Sequence, residues 1–147
     1  KKQVSNSFHG RDIFAPVAAW LARGEEPARF GPIIPDHCTL DTPKPIIITD
    51  NQLRGEIIYI DRFGNLMSNI DQSLFQLMQD RNRGKVCQIS LDPNIIKGVN
   101  RYYAEAPEKE AGAIFNSFGY LEVYINQGNA HQQLGLGTGT EINIIFF

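Results

Sequence analysis

Gly55-Glu56-Ile57-Ile58-Tyr59-Ile60-Asp61, continued by Arg62-Phe63-Gly64-Asn65-Leu66-Met67-Ser68-Asn69, is the stretch on which the fold turns. β-Branched and aromatic residues dominate its first half, and such side chains suit a pleated, half-buried strand. An acid closes the run, Phe63-Gly64-Asn65 turns the chain, and an apolar segment leaves again. Gly64 and Asn65 both tolerate turn dihedrals, so a hairpin is expected. The extended period starts near Leu53 and recurs in Lys85–Leu91 (KVCQISL), Ala113–Asn116, Tyr120–Asn126 and Glu141–Phe147. Gln72–Gln79 reads instead as a short helix, with Leu74, Phe75, Leu77 and Met78 on one side. Asn129–Leu134 reads as one more helical turn. Strands at short spacing with two small helices predict a mainly β (α+β) fold, an antiparallel β-barrel or a sandwich.

Upstream the pattern is helical over residues 12–23. Asp12 is the expected N-cap, because a short carboxylate accepts free backbone N–H groups. Pro16 falls in the first turn, where its missing N–H costs little. Ile13, Val17, Trp20 and Leu21 share a face, and Arg23-Gly24 is a good stop. Residues 25–53 hold Pro27, Pro32, Pro35, Pro43 and Pro45, five of the eight prolines, and read as a surface linker. The expected organisation is therefore a helix within 1–24, a Pro-rich linker over 25–53 and a β-domain over 54–147.

Composition narrows the function. The 147 residues are 42% hydrophobic and 20% charged, which argues against a disordered chain. Fourteen Lys and Arg against 16 Asp and Glu lack the basic footprint of a nucleic-acid binder. No apolar stretch approaches the length of about 18 residues needed to span a membrane as a helix. Cys38 and Cys87 form no CxxC pair, and His9, His37 and His131 are scattered, so no metal site is expected. Reduced thiols and a cytoplasmic setting are the default. The Met-less start at Lys1 reads as the seam of a truncation.

Four segments are richer in polar residues and glycine than plain strands or turns require. Phe8-His9-Gly10-Arg11-Asp12 puts a histidine before a helix, where the dipole favours the neutral imidazole. A neutral imidazole can orient a water; the plainer alternative is ordinary helix entry. Asp61 and Asn65 offer a carboxylate for an ammonium group and an amide for a heterocycle edge, or else a simple hairpin turn. Asn116-Ser117-Phe118-Gly119 marks a bulge or a close approach between strands. Glu122 interrupts an otherwise apolar and aromatic strand, facing either water or a ligand hydroxyl. In Arg101-Tyr102-Tyr103-Ala104-Glu105 the adjacent tyrosines point to opposite faces, and one of them can stack on a base. Gly135-Leu136-Gly137-Thr138-Gly139 fits no phosphate-loop spacing and reads as a turn.

Taken in order, FHGRDIFAPVAAWLARG (8–24), GEIIYIDRFGNLMSNI (55–70), RYYAEA (101–106) and NSFGYLEVYINQGNA (116–130) resemble one family. It is that of the adenosine-forming S-adenosyl-L-methionine (SAM) hydrolases, or SAM hydroxide adenosyltransferases, to which the fluorinating and chlorinating enzymes are related. The resemblance implies an N-terminal α/β domain and a small C-terminal β-barrel. This chain would then cover the barrel plus the last helix of the first domain. It implies a homotrimer with active sites between subunits, SAM as substrate, no cofactor, and no nucleic-acid or membrane partner. Water-derived hydroxide would attack ribose C5′ and release adenosine and L-methionine. Without the rest of the first domain the chain is expected to be inactive.

Site residues carry over singly. His9 matches the histidine of the family's water-positioning set. Asp61 matches the aspartate that holds the methionine ammonium, and Asn65 the asparagine that pairs with adenine. Tyr103 matches the aromatic stacked on adenine, with Tyr102 one residue away. Ser117 sits where the family contacts the methionine carboxylate or adenosine. The halogenating enzymes follow that serine with Arg, whereas Phe118 follows it here, which argues against halogenation. Glu122 aligns with an adenosine contact, and Ile125 and Gln127 lie where adenine would meet backbone and an apolar wall. The alternatives are a non-catalytic adenosine- or SAM-binding module and an oligomerisation domain.

Overall fold

A computed structural model describes residues 4–39 and 41–147; Lys1–Gln3, at the start of the expected 1–24 segment, and Leu40, within the expected linker, lie outside the described residues. The chain divides into two compact units, Lys1–Leu40 and Asp41–Phe147.

In the first unit a π-helical turn, Gly10–Phe14, runs into helix α1, Ala15–Ala22. Pro16 sits in the first turn of α1, as its fixed φ permits. Asp12 does not cap the helix. It lies inside the π turn, 4% exposed, where its carboxylate accepts the Ser5 N–H at 3.0 Å and the Arg11 Nε at 2.7 Å. The expected apolar face is not buried: Ile13, Trp20 and Leu21 are exposed and Val17 is half-buried. Residues Pro27–Phe30 form a 3₁₀ turn, and Arg29 pairs with Glu25 one turn back.

The second unit is the predicted β-domain, and it is barrel-like, not a sandwich. Its strands are β1 (Ile46–Thr49), β2 (Gln52–Ile60), β3 (Leu66–Asp71), β4 (Cys87–Leu91), β5 (Asn94–Lys97), β6 (Ala111–Phe115), β7 (Tyr120–Ile125) and β8 (Glu141–Phe146). They run in the order β5-β4-β8-β2-β3-β7-β6, every neighbour antiparallel, with β1 added on β2. A bridge from Asn100 to Ile114 draws the two ends of this order together, so the sheet is nearly closed. Near-closure leaves little free strand edge, which is otherwise a liability.

Two departures from the sequence reading concern boundaries. The stretch expected to be linker up to residue 53 already carries β1 and the start of β2, and Leu53 is fully buried. Strand β5 has no clear sequence signal, being a four-residue hairpin partner of β4. Helix α2 spans Gln72–Arg81 and is capped by Asp71, whose side chain accepts the Leu74 N–H at 2.9 Å. Helix α3, Ala130–Leu134, is capped in the same way by Asn129.

The core gathers Leu53, Ile57, Leu66, Ile70, Leu121, Val123, Ile142 and Ile144, all fully buried. Helix α2 closes one end of it through Met78 and Phe75, whose ring meets Phe115 edge-on at 5.2 Å and Phe146 at 5.7 Å. Strand β7 is covered on both faces. Leu121 and Val123 enter this core, while Tyr124 joins a second cluster with Ala106 and Ile114. Gly112 makes room for that tyrosine, since a Cβ there would lie 2.6 Å from its Cζ and hydroxyl oxygen.

Both cysteines are free thiols, Cys38 exposed and Cys87 buried. Burial pushes the Cys87 thiol up to about 12. Dithionitrobenzoate is therefore expected to titrate one thiol in the native protein, Cys38, and the second only after unfolding; rapid reaction of both would contradict this packing. Gly112→Ala should destabilise the domain by about 1–3 kcal/mol, as overpacking of a filled site does, measured by urea unfolding.

Candidate functional site

The candidate site is built by three short connections that project from neighbouring strands. The first joins β2 to β3. One Asp61 carboxylate oxygen, Oδ1, accepts the backbone N–H of Phe63 at 2.8 Å and of Asn65 at 2.9 Å. The other, Oδ2, accepts the Asn65 side-chain Nδ2 at 3.2 Å. Gly64 supplies the left-handed dihedral of the turn (φ +84°). The turn also rests on α3, because the Gly64 carbonyl accepts the His131 N–H at 2.9 Å.

The second connection joins β6 to β7. Asn116-Ser117-Phe118-Gly119, read from the sequence as a bulge or a close approach between strands, is the turn that joins the paired strands β6 and β7. Asn116 Oδ1 accepts the N–H of Phe118 at 3.0 Å and of Tyr120 at 3.2 Å, and Gly119 takes φ +79°. Ser117 and Phe118 stand exposed at its tip.

The third is the loop that carries the tyrosine pair. Glu105 accepts the Arg101 backbone N–H at 2.7 Å and its Nε at 3.1 Å, closing the loop around a 3₁₀ turn at Tyr103–Glu105. The Tyr103 hydroxyl donates to Glu122 Oε1 at 3.0 Å. Its ring stands edge-on to Tyr124, centroids 4.8 Å apart. Glu122 and Tyr124 are two residues apart on β7 and so face the same side. Glu122 does not face water: it is 5% exposed, and its second oxygen accepts Asn116 Nδ2 at 3.1 Å. Tyr124 is held in turn by Asn100, whose Nδ2 donates to its hydroxyl at 2.7 Å.

Two clefts result, of about 750 Å³ and about 450 Å³, and Asp61 and Tyr103 line both. Ser117 and Glu122 line the larger, with Tyr59, Phe118 and Tyr120; Asn65, Ile125 and Gln127 line the smaller. All the barrel residues singled out in the sequence thus converge here. Tyr103, not Tyr102, is the member of the pair that reaches the clefts. His9 belongs to the first unit and is exposed ahead of the π turn. Sequence reasoning missed Tyr124, Asn116 and Asn100. The signal for Tyr124 was present in the alternation of Tyr120, Glu122 and Tyr124 against Leu121, Val123 and Ile125.

Charge gives the clefts a sign. Among the described residues, their linings hold two carboxylates and no Lys, Arg or His. They suit a cation with a flat apolar part. Among the described residues no group of three His, Cys, Asp or Glu side chains could hold a metal ion, and no helix is long and apolar enough to cross a membrane.

The Tyr103 phenol is pushed up to about 12, first by desolvation and then by the hydrogen bond and negative charge of Glu122. The raised value means that the neutral phenol is the favoured form in the folded protein. Its stabilising contribution is complete below pH 10 and is lost as pH rises through about 12. Ultraviolet titration of phenolate should show one tyrosine ionising near that upper value, and Glu122→Gln should return it toward 10. An unchanged titration in the variant would contradict the contact.

Residues 55–143 match the SAM hydroxide adenosyltransferase C-terminal domain, and residues 1–31 match the N-terminal domain of the same family. A protein of Thermus thermophilus named (R)-S-adenosyl-L-methionine hydrolase is 32% identical over 139 residues, covering 95% of this chain and 49% of the relative. One of the same name from Salinispora tropica is 30% identical, covering 96% of this chain and 51% of the relative. The chain thus spans about half the length of the curated relatives it matches. A crystal structure of an uncharacterized conserved protein from Thermotoga maritima superposes with a TM-score of 0.68 at 33% identity, covering 99% of this chain and 55% of that one. With both domain models matched in order, and the C-terminal one over more than half of its residues, the chain belongs to the SAM hydroxide adenosyltransferase family.

Proposed function

We propose that the protein containing this chain hydrolyses S-adenosyl-L-methionine to adenosine and L-methionine, by attack of water-derived hydroxide at ribose C5′. The observation that carries this reading is the convergence of Asp61, Asn65, Tyr103, Ser117, Glu122, Ile125 and Gln127 on two clefts that share Asp61 and Tyr103. Relatives named as SAM hydrolases support it.

The chemistry suits the clefts. An anionic nucleophile meets a cationic sulfonium, so charge disappears as the reaction proceeds. An apolar, water-poor site favours such a step over bulk water. The leaving group is a neutral thioether and needs no proton, so we assign no cofactor or metal; SAM is the substrate. Asp61 Oδ2 takes the methionine ammonium, and the aromatic side chains of Tyr59, Tyr103 and Tyr120 favour a cation beside them. Tyr103 stacks on adenine, Asn65 pairs with its edge, and Ile125 and Gln127 wall it. Ser117 meets the methionine carboxylate. Glu122 serves adenosine through the phenol that it holds. His9 orients the attacking water.

The active form is a homotrimer with each site between subunits. Phe63 and Phe118 support this, being 68% and 81% exposed at the cleft rims, where a neighbour would cover them. Free thiols at Cys38 and Cys87 support a cytoplasmic setting. The 147-residue chain alone is expected to form no adenosine.

Chromatography of the complete protein incubated with SAM should show adenosine and methionine rising in equal amounts. His9→Ala should lower kcat by about 100-fold or more while KM changes little, since the lost group acts on the water. A complete protein that binds adenosine calorimetrically without turnover would instead be a binding module. One that does neither would be an oligomerisation domain.

A further inference from the structure

We infer that Asp61 determines which purine the site accepts, by fixing the orientation of the Asn65 amide, so that the site selects 6-amino over 6-oxo purine nucleosides. The inference rests on the adenine contact proposed above and names a role for Asp61 separate from holding an ammonium group.

An asparagine side chain can turn over, exchanging its carbonyl oxygen and its NH₂ at almost no steric cost. A free amide therefore reads a donor–acceptor pair in either order. Asn65 is not free in this sense. Its Nδ2 lies 3.2 Å from Asp61 Oδ2, and an ionised carboxylate only accepts. Turning the amide over would set Asn65 Oδ1 against that oxygen, acceptor against acceptor, in a residue only 9% exposed. Asp61 is itself unable to swing away. Its Oδ1 is held by the backbone N–H of Phe63 and of Asn65, and Gly64 seats the turn on α3.

Asn65 thus offers the smaller cleft Oδ1 as an acceptor and its second N–H as a donor, in a fixed order. Adenine presents a donor at its 6-amino group beside a ring nitrogen acceptor, on either of its edges. A 6-oxo purine puts an acceptor at that position, opposite Asn65 Oδ1. Two acceptors facing one another in a partly desolvated cleft are repulsive, and a purine stacked on Tyr103 has little freedom to shift away. The selectivity therefore lies in the Asp61–Asn65 pair and not in Asn65 alone.

The test is calorimetric titration of the complete protein with adenosine and with inosine. Neither nucleoside carries an ammonium group, so the other proposed role of Asp61 does not enter. The wild type should prefer adenosine by roughly 10- to 100-fold, the range of one good bidentate base contact. Asp61→Asn keeps the turn, because the new amide oxygen can still accept both backbone N–H groups. It also puts an N–H where Oδ2 was, donor against the Asn65 Nδ2 donor, so the Asn65 amide turns over and the preference for adenosine should be lost or inverted. Asn65→Ala should lose the same preference. The double variant should lose no more than either single one, as expected of two residues acting as a unit. An Asp61→Asn protein that retains the wild-type preference would overturn the inference. So would losses that add in the double variant. A wild type that binds neither nucleoside would instead sink the proposed function, and this inference with it.

Discussion

A buried carboxylate is costly unless donors surround it, and the one at Glu122 sets the terms for the whole site. It sits in the middle of β7 at 5% exposure, and its two oxygens are met by the Tyr103 phenol and the Asn116 amide. Those donors come from different connections. One Glu122 side chain therefore ties the tyrosine loop to the β6–β7 turn and holds both against the barrel wall. Without either partner the charge would be stranded in an apolar strand. Loss of either donor would leave one carboxylate oxygen buried without a partner, so the loop and the turn are coupled through Glu122.

The same economy governs the β2–β3 turn. Asp61 uses one oxygen to shape the backbone and the other to hold an amide, so one side chain both builds the turn and aims its contents. Tyr124 plays the equivalent part beneath Tyr103. It is locked by Asn100 from behind and admitted by the missing Cβ of Gly112. Asn65, Tyr103 and Tyr124 thus each have a second group behind them that fixes their orientation. Such arrangements exchange conformational freedom for readiness to bind, because ordering costs are met in folding and not in binding. Among the described residues, the two clefts carry negative charge and aromatic walls without a basic side chain. That balance suits the cationic ligand proposed for the site.

Much of this was legible along the chain. Period-two alternation marked β2, β4, β7 and β8, and the Asp-to-Asn turn announced itself through Gly64. The misreadings have physical causes. Ile46–Thr49 looked like linker because prolines flank it, yet it pairs with β2, which no local signal records. Asp12 looked like a cap because a short acid before an apolar run usually is one. Here the helix begins earlier, as a π turn, and the carboxylate turns inward to Ser5 and Arg11. The Asn116–Gly119 segment left a bulge and a close approach between strands equally open, because its glycine could serve either purpose.

The residue types, their order and their periods were determined by the sequence itself. It supplied the β character, the turns, the candidate side chains and the family likeness. Only the tertiary structure decided what those side chains face. The register that sets Leu66 against Val123 and Met67 against Glu122 brings the β2–β3 turn beside β7, from residues more than fifty positions away. The same assembly chose Tyr103 over Tyr102, buried Glu122 where exposure was equally open to it, and gave the Asn65 amide one orientation. Each of these outcomes depends on hydrogen bonds between strands and loops distant in sequence, and no local pattern of residues carries that information.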